Sequence, residues 1–277
     1  LNSTLANKLS IVVSSSDGYD DCWNPFFTLL KNYFPGIEQI EILLSTQTKD
    51  YSNPAFNLKV VKHGMRAAWS QRLRQTLEKA SNEIILFLDE DAFLRSEVNM
   101  SLLVKLVDMM VQDDKIGHIR FAKGNWETTP TQWDFLQELK PFTKKRFMML
   151  IGLWNKEILL KHLVGHETTW SIEKWANIRS NILQDRFYCV TRSVIENEGS
   201  PYNAAENGGI YKGKWIENYV VPLFAKNNIE IDFSKRGFAD QQSRLASRLM
   251  NRLEPIMHPV LTCKSIRSII QLKFSKN

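Results

Sequence analysis

The chain has 277 residues, 43% of them hydrophobic and 24% charged, enough apolar surface for a full core, which excludes a disordered or low-complexity composition. The net charge of +6 suits an anionic partner such as a nucleotide, a phospholipid headgroup or a nucleic acid. No window approaches the roughly 18 uninterrupted apolar residues of a membrane-spanning helix, and no signal-peptide pattern opens the chain. Cys22, Cys189 and Cys263 form neither a CxxC pair nor a metal-ligand spacing, so reduced thiols are expected. The expected location is cytoplasmic, in solution or peripheral at an inner membrane face.

Leu9 to Val13 is a short apolar run ending in Ser14-Ser15-Ser16-Asp17-Gly18, a first strand feeding a polar loop. Trp23 to Phe34 carries Phe26, Phe27, Leu30 and Phe34 at helical spacing and stops at Pro35-Gly36. Ile40 to Leu44 and Leu58 to Val61 read as strands, and Trp69 to Ala80 as a helix with Leu73, Leu77 and Ala80 inward. A strand from Ile84, a helix from Glu97 to Gln112 and a strand from Gly117 to Phe121 follow. Asn125 to Lys145 loses its periodicity and reads as a loop over the sheet edge. Phe147 to Trp154 is strand-like, Lys156 to Leu163 and Thr168 to Ser180 helical, and Tyr188 to Ile195 again strand-like. Asn207-Gly208-Gly209 is a turn before Ile210 to Trp215. This alternation predicts an α/β sheet, mostly parallel and flanked by helices.

The tail changes character. From Phe233, Arg236, Arg244, Arg248, Arg252, Lys264, Arg267 and Lys273 outnumber Asp240 and Glu254. Leu245, Leu249, Met250 and Leu253 form one apolar stripe, and Ile266, Ile269 and Ile270 another. The expected division is a main domain over 1–232 and a basic amphipathic helical extension over 233–277, which either lies on an anionic membrane surface or packs on the domain.

Ile84 to Leu94 is the stretch around which the rest is organised. Five unbroken apolar residues read as a strand buried on both faces, and Asp89, Glu90 and Asp91 follow at once. Crowded carboxylates repel one another unless something positive joins them. A divalent cation, which prefers oxygen ligands and often bridges to phosphate, meets that need. In open α/β sheets ligands bind beyond the carboxyl ends of strands, where this cluster falls.

The Ser-rich end of the first strand, Trp69-Ser70-Gln71-Arg72-Leu73 and the apolar strand running into Asp-Glu-Asp together resemble a GT-A-fold (Rossmann-like) nucleotide-sugar glycosyltransferase. They are most similar to bacterial enzymes that build surface polysaccharide. Trp170-Ser171-Ile172-Glu173 resembles the W-x-x-E element of such enzymes, and Tyr211-Lys212-Gly213-Lys214-Trp215 their closing G-K-W element. The similarity spans roughly residues 9 to 215.

The resemblance implies transfer of a sugar from a nucleotide donor, a UDP-sugar foremost, to a glycan acceptor carried on a lipid. It implies Mn²⁺ or Mg²⁺ on Asp91 and Asp89, with Asp89 on metal or ribose and Glu90 able to substitute for either. Ser14, Ser15 and Asp17 are placed at base and ribose, Trp69 and Arg72 at the donor. A planar, permanently charged guanidinium suits a diphosphate. Lys212 and Lys214 flank Gly213 in a loop able to close over the donor. Glu173 is the candidate general base for the acceptor hydroxyl, with the Trp170 and Trp175 rings beside it for the sugar. All five histidines are assigned structural roles. Two other readings stay open: a phosphatase of the haloacid dehalogenase type using Asp-Glu-Asp, and a non-catalytic basic nucleic-acid-binding protein.

Overall fold

The computed structural model describes residues 5–122, 124–205, 208–239 and 259–274. Among these, nine strands form one mixed sheet in the order β3-β2-β1-β4-β8-β5-β9-β7-β6. They are β1 (Leu9–Ser14), β2 (Glu41–Thr46), β3 (Leu58–Lys62), β4 (Ile84–Asp89), β5 (Ile116–Arg120), β6 (Thr128–Pro130), β7 (Leu136–Leu139), β8 (Gly152–Asn155) and β9 (Arg186–Val190). All run in one direction except β8 and β7, which pair antiparallel to their neighbours. The helices are α1 (Asp20–Tyr33), α2 (Trp69–Leu77), α3 (Met100–Gln112), α4 (Lys156–His162), α5 (Thr169–Leu183), α6 (Arg192–Asn197), α7 (Glu217–Lys226) and α8 (Pro259–Phe274). A hairpin of β10 (Ile210–Tyr211) and β11 (Lys214–Trp215) stands apart from the main sheet.

The central strands are apolar along their length because both faces are covered. Ile11, Val13, Leu86 and Leu88 point into one core with Phe26, Phe27 and Leu30 of α1 and Leu103 and Leu106 of α3. Val12, Leu43, Ile85 and Phe87 point into the other with Leu73 and Leu77 of α2 and Ile172 and Ala176 of α5. The period of two along each strand sorts the residues between the two layers. Asn99, Asn155 and Thr168 cap α3, α4 and α5 with their side chains, each accepting from a backbone N–H that has no partner inside its helix.

Several sequence expectations shift. The aperiodic stretch 125–145 contains β6 and β7, which extend the sheet edge by antiparallel pairing onto β9. Strand character over 147–154 shrinks to β8, and the residues before it are instead tied to α5: Phe147 N–H donates to Asn177 Oδ1 and Met149 N–H to Glu173 Oε1. The expected strand over 188–195 ends at Val190, and α6 follows. The helix α7 was not anticipated.

The boundary at 232 also moves. Phe233 stacks on Phe224 and meets Trp215 edge-on, Trp215 N–H donates to Gly237 O, and Ala239 N–H to Trp215 O. Residues 233–239 therefore pack with the main domain. The stripe from Leu245 to Leu253 lies outside the described residues, whereas Ile266, Ile269 and Ile270 are on α8, which packs on α5. No helix among the described residues is long and apolar enough to cross a membrane.

Candidate functional site

The chain leaves β1 toward β2 on one side, and after β3 crosses back to place β4 on the other. Such a reversal opens a crevice beyond the carboxyl ends of the two central strands. Ser14 and Asp89 are register partners at that end, so the Ser-rich turn and the acidic turn, 75 positions apart in sequence, become neighbours in space.

The acidic turn is clamped by its own backbone. Ala92 N–H donates to Asp89 O, and the Tyr202 and Tyr219 hydroxyls to Ala92 O and Phe93 O. The segment before β10 is strung on Asp91: Gly209 N–H donates to its carbonyl (2.9 Å) and Ile210 N–H to its Oδ2 (3.0 Å). Gly208 has φ +69, and a Cβ there would overlap the Asp91 carboxylate. Gly208→Ala is therefore expected to destabilise the fold by about 1–3 kcal/mol, from strain and collision together, as read by urea denaturation.

Electrostatics set this turn apart. Burial, followed by repulsion from Asp91 and Glu173, pushes the Asp89 carboxyl up to about 8. Burial and its two neighbours push Glu90 well above the usual carboxylate range. Burial raises Asp91 to about 6 against the opposing pull of the Ile210 and Gly209 N–H groups. Among the described residues no ion pair reaches any of the three. Burial and mutual repulsion thus hold protons on the cluster, and ionising all three acids at once calls for positive charge beyond the field of Arg236.

Trp69 and Arg72 of α2 converge on the end of β1. Trp69 Nε1 donates to Ser14 Oγ (3.0 Å), Trp23 Nε1 to Ser15 Oγ (2.8 Å) and Arg72 Nη1 to Ser15 O (3.1 Å). Arg72 Nε is buried without a partner among the described residues. Burial lowers the Arg72 pKa, offset by the fields of Glu90 and Asp17, so this guanidinium shares the acids' environment. Asp17 is otherwise engaged. Its carboxylate accepts from Gln47, Thr48 and Lys49 backbone N–H groups and from Thr48 Oγ1. These bonds outweigh burial and hold it below the usual range. Asp17 staples the loop after β2, with few lone pairs left for a ligand.

Glu173, on α5, faces the cluster from the other side, and its charge is one of those that raise Asp89. Burial raises its own pKa, against the Met149 N–H bond and the fields of Arg120 and Lys145. Trp170 and Trp175, both expected at the acceptor, differ in exposure. Trp175 lies two positions from Glu173, about 200° around the helix, is 9% exposed and has Lys174 Nζ 4.6 Å over its ring. Trp170 is 68% exposed and free to stack. Lys212 and Lys214 are exposed on the β10–β11 hairpin, whose turn has Lys212 at φ 51 and Gly213 at φ 79. Left-handed backbone at both central positions defines a tight turn of the hairpin type rather than an open loop.

Two arginines near the acids were not singled out as site residues. Arg236 Nε donates to Asp21 Oδ2 (2.7 Å), its guanidinium lies over the Tyr19 ring, and its field lowers Glu90 and Asp91. Arg120, at the end of β5, is fully buried, donates to Lys145 O and Arg146 O, and lies 4.4 Å over the Trp126 ring. Its Nε and Nη1 have no partner among the described residues, and burial lowers it to about 10. A strand-end arginine after an apolar run was the available signal for Arg120. The histidines sit elsewhere: His118 stacks on Trp154, His162 bonds Asp185, His166 bonds Ser265 and His63 bonds Gln75 and Thr76. His258 is outside the described residues.

Asp89 and Asp91 offer oxygen-only ligation, which suits Mg²⁺ or Mn²⁺. Among the described residues no three His, Cys, Asp or Glu side chains converge into a cage.

No family model matches the chain, and no curated protein matches it. Among solved structures, TarS of S. aureus (residues 1–349) in complex with UDP-GlcNAc is 13% identical, with a TM-score of 0.47 over 83% of this chain and 69% of that one. The mannosyltransferase PcManGT of Pyrobaculum calidifontis, in complex with GDP-Man and Mn²⁺, is 12% identical with a TM-score of 0.46 over 96% of this chain and 73% of that one. This chain spans 35% of the longer TarS structure and 58% of TarS 1–349.

Proposed function

We propose that this chain is a metal-dependent glycosyltransferase moving a sugar from a nucleotide-sugar donor to a lipid-linked glycan acceptor, in the building of a bacterial surface polysaccharide. The observation that carries the reading is the crowded, buried acid cluster at the β1/β4 crevice, with Asp89 raised to about 8 and Glu173 among the charges that raise it. A cation brought in with a nucleoside diphosphate would replace the protons that burial and repulsion hold on these acids. The polysaccharide setting and the lipid carrier follow the resemblance of the segments quoted above.

The roles then divide by position. Asp89 and Asp91 would hold the cation, which would supply neutralisation of charge on the departing diphosphate. Arg72, half-buried at the end of β1, offers its guanidinium to a phosphate oxygen, and the hairpin bearing Lys212 and Lys214 covers the donor and limits water. Ser14 and Ser15, oriented by the two indoles, line the nucleoside end. Met149 N–H occupies Glu173 Oε1, leaving Oε2 to take the acceptor proton. In an inverting transfer the acceptor oxygen bonds to the anomeric carbon as the bond from that carbon to diphosphate breaks. Burial strengthens Glu173 as a base, because a raised pKa holds the transferred proton better.

A thermal-shift panel of UDP, GDP, CMP and their sugar conjugates, with and without Mn²⁺, tests the donor site. A ligand at about 100 times its Kd stabilises the fold by about 2.7 kcal/mol. The expected result is one nucleotide that shifts the wild type only with metal and fails on Asp91→Asn. Silence across the whole panel would overturn the reading.

A further inference from the structure

A surface outside the crevice, Trp170 apart, has no role in the chemistry above. Most of the large apolar side chains left exposed among the described residues lie on the loop 140–145, on α5 and on α8. Phe142, at the loop tip, is 83% exposed and Phe274 73%. Trp170, Lys174 and Ile178, spaced by four, form the open ridge of α5. The loop is fastened beside that ridge, with Phe142 N–H donating to Asn181 Oδ1 and Asn177 Nδ2 to Thr143 O. Helix α8 packs on α5 while leaving the ridge uncovered, and Ser265 is its buried anchor, bonded to His166 and Glu167. That anchor fixes which side of α8 faces outward, and the outward side carries Ile266, Ile270 and Phe274.

The charge on these elements has one sign. Lys140, Lys144 and Lys145 are exposed on the loop, Lys174 on α5, and Lys264, Arg267 and Lys273 on α8. The sole carboxylate among these stretches, Glu173, turns inward to Met149. Phe142 and Lys145 also have left-handed backbones, at φ 60 and 64, a costly conformation for side chains of this kind that keeps only where the surroundings enforce it.

We infer that loop 140–145, the open ridge of α5 and the outer side of α8 form one docking face for an anionic lipid surface. Apolar side chains rimmed by cations match the acyl boundary and the headgroups together. A second copy of the chain meets the face poorly, since two such faces would bring like charges together. Docking would hold α5, and Glu173 on its inner side, next to the lipid. The purpose of the face rests on the lipid-linked acceptor proposed above; its existence does not.

Co-sedimentation of the full chain with vesicles of mixed phosphatidylcholine and phosphatidylglycerol, and of phosphatidylcholine alone, tests the inference. The expected result is binding to the mixed vesicles only, weakened by salt. It should fall at least about tenfold in Phe142→Ser/Ile270→Ser and in Lys264→Gln/Arg267→Gln. Circular dichroism and an unchanged nucleotide thermal shift establish that both variants fold. Equal binding by wild type and variants, or no binding of the folded wild type to the anionic vesicles, overturns the face. A wild-type dimer that the same variants dissociate would instead make it a self-interface. Vesicle binding without any nucleotide shift would leave the face standing and sink the transferase reading.

Discussion

Asp91→Asn is expected to lower sugar transfer by roughly a hundred- to ten-thousand-fold, the rate equivalent of several kcal/mol of lost charge neutralisation. The same substitution is expected to raise the melting temperature of the ligand-free protein near pH 8. Asp89 and Asp91 are raised in the fold to about 8 and about 6 from 3.8. The folded state therefore binds protons more tightly than the unfolded chain. Stability must then fall as pH rises from about 4 toward 8, because ionising the cluster costs more in the fold than out of it. Asparagine removes one of the repelling charges and keeps an amide oxygen for Ile210 N–H. A relief of about 1 kcal/mol corresponds to about 2–4 °C. Calorimetry across that pH range, beside a diphosphate-release assay, reads both effects. A variant that loses activity and stability together would mean that Asp91 serves only the hairpin. Asp91→Ala is the contrasting substitution, since it also releases the Ile210 anchor.

Arg179→Met is expected to destabilise the protein by about 3–5 kcal/mol, because it leaves Glu167 buried without its countercharge. Arg179 and Glu167 are 2% and 1% exposed, and the guanidinium forks onto both carboxylate oxygens at 2.9 and 2.6 Å while also reaching His162 O. Ser265 of α8 donates to the same carboxylate. Loss of the pair should therefore also speed amide hydrogen exchange over 259–274. Replacing both partners, as Glu167→Leu/Arg179→Met, is expected to recover much of the stability while the Ser265 anchor stays lost. Unchanged exchange in the single variant would show that α8 is held by its apolar contacts alone.

The two findings bear on the same helix. α5 carries Glu173 toward the acid cluster, supplies Arg179 of the buried pair from its later half and offers its open ridge to solvent. Its sequence, read alone, shows a helix with tryptophans near a glutamate. The segment 143–149 decides what that glutamate can do, because Asn177 and Glu173 both bond its backbone. No spacing in the chain announces that contact.

What the sequence by itself determined was the local order: apolar runs for β1, β2 and β4, helical stripes for α1 to α3, and the acidic turn at the end of β4. Each depends on periodicity within a few residues, and burial on both faces leaves an unbroken apolar signature. Only the tertiary structure decided the partnerships. Ser14 meets Asp89 through strand register, Asp17 is consumed by the loop after β2, and Trp175 is buried while Trp170 stays open. Arg120 and Arg236 reach the acids' neighbourhood from 29 and 145 positions beyond Asp91. β6 and β7, short and half-polar, gain strand conformation only from pairing at the sheet edge. Contacts between distant segments depend on how layers pack, and that information is spread over the whole chain rather than written at either partner.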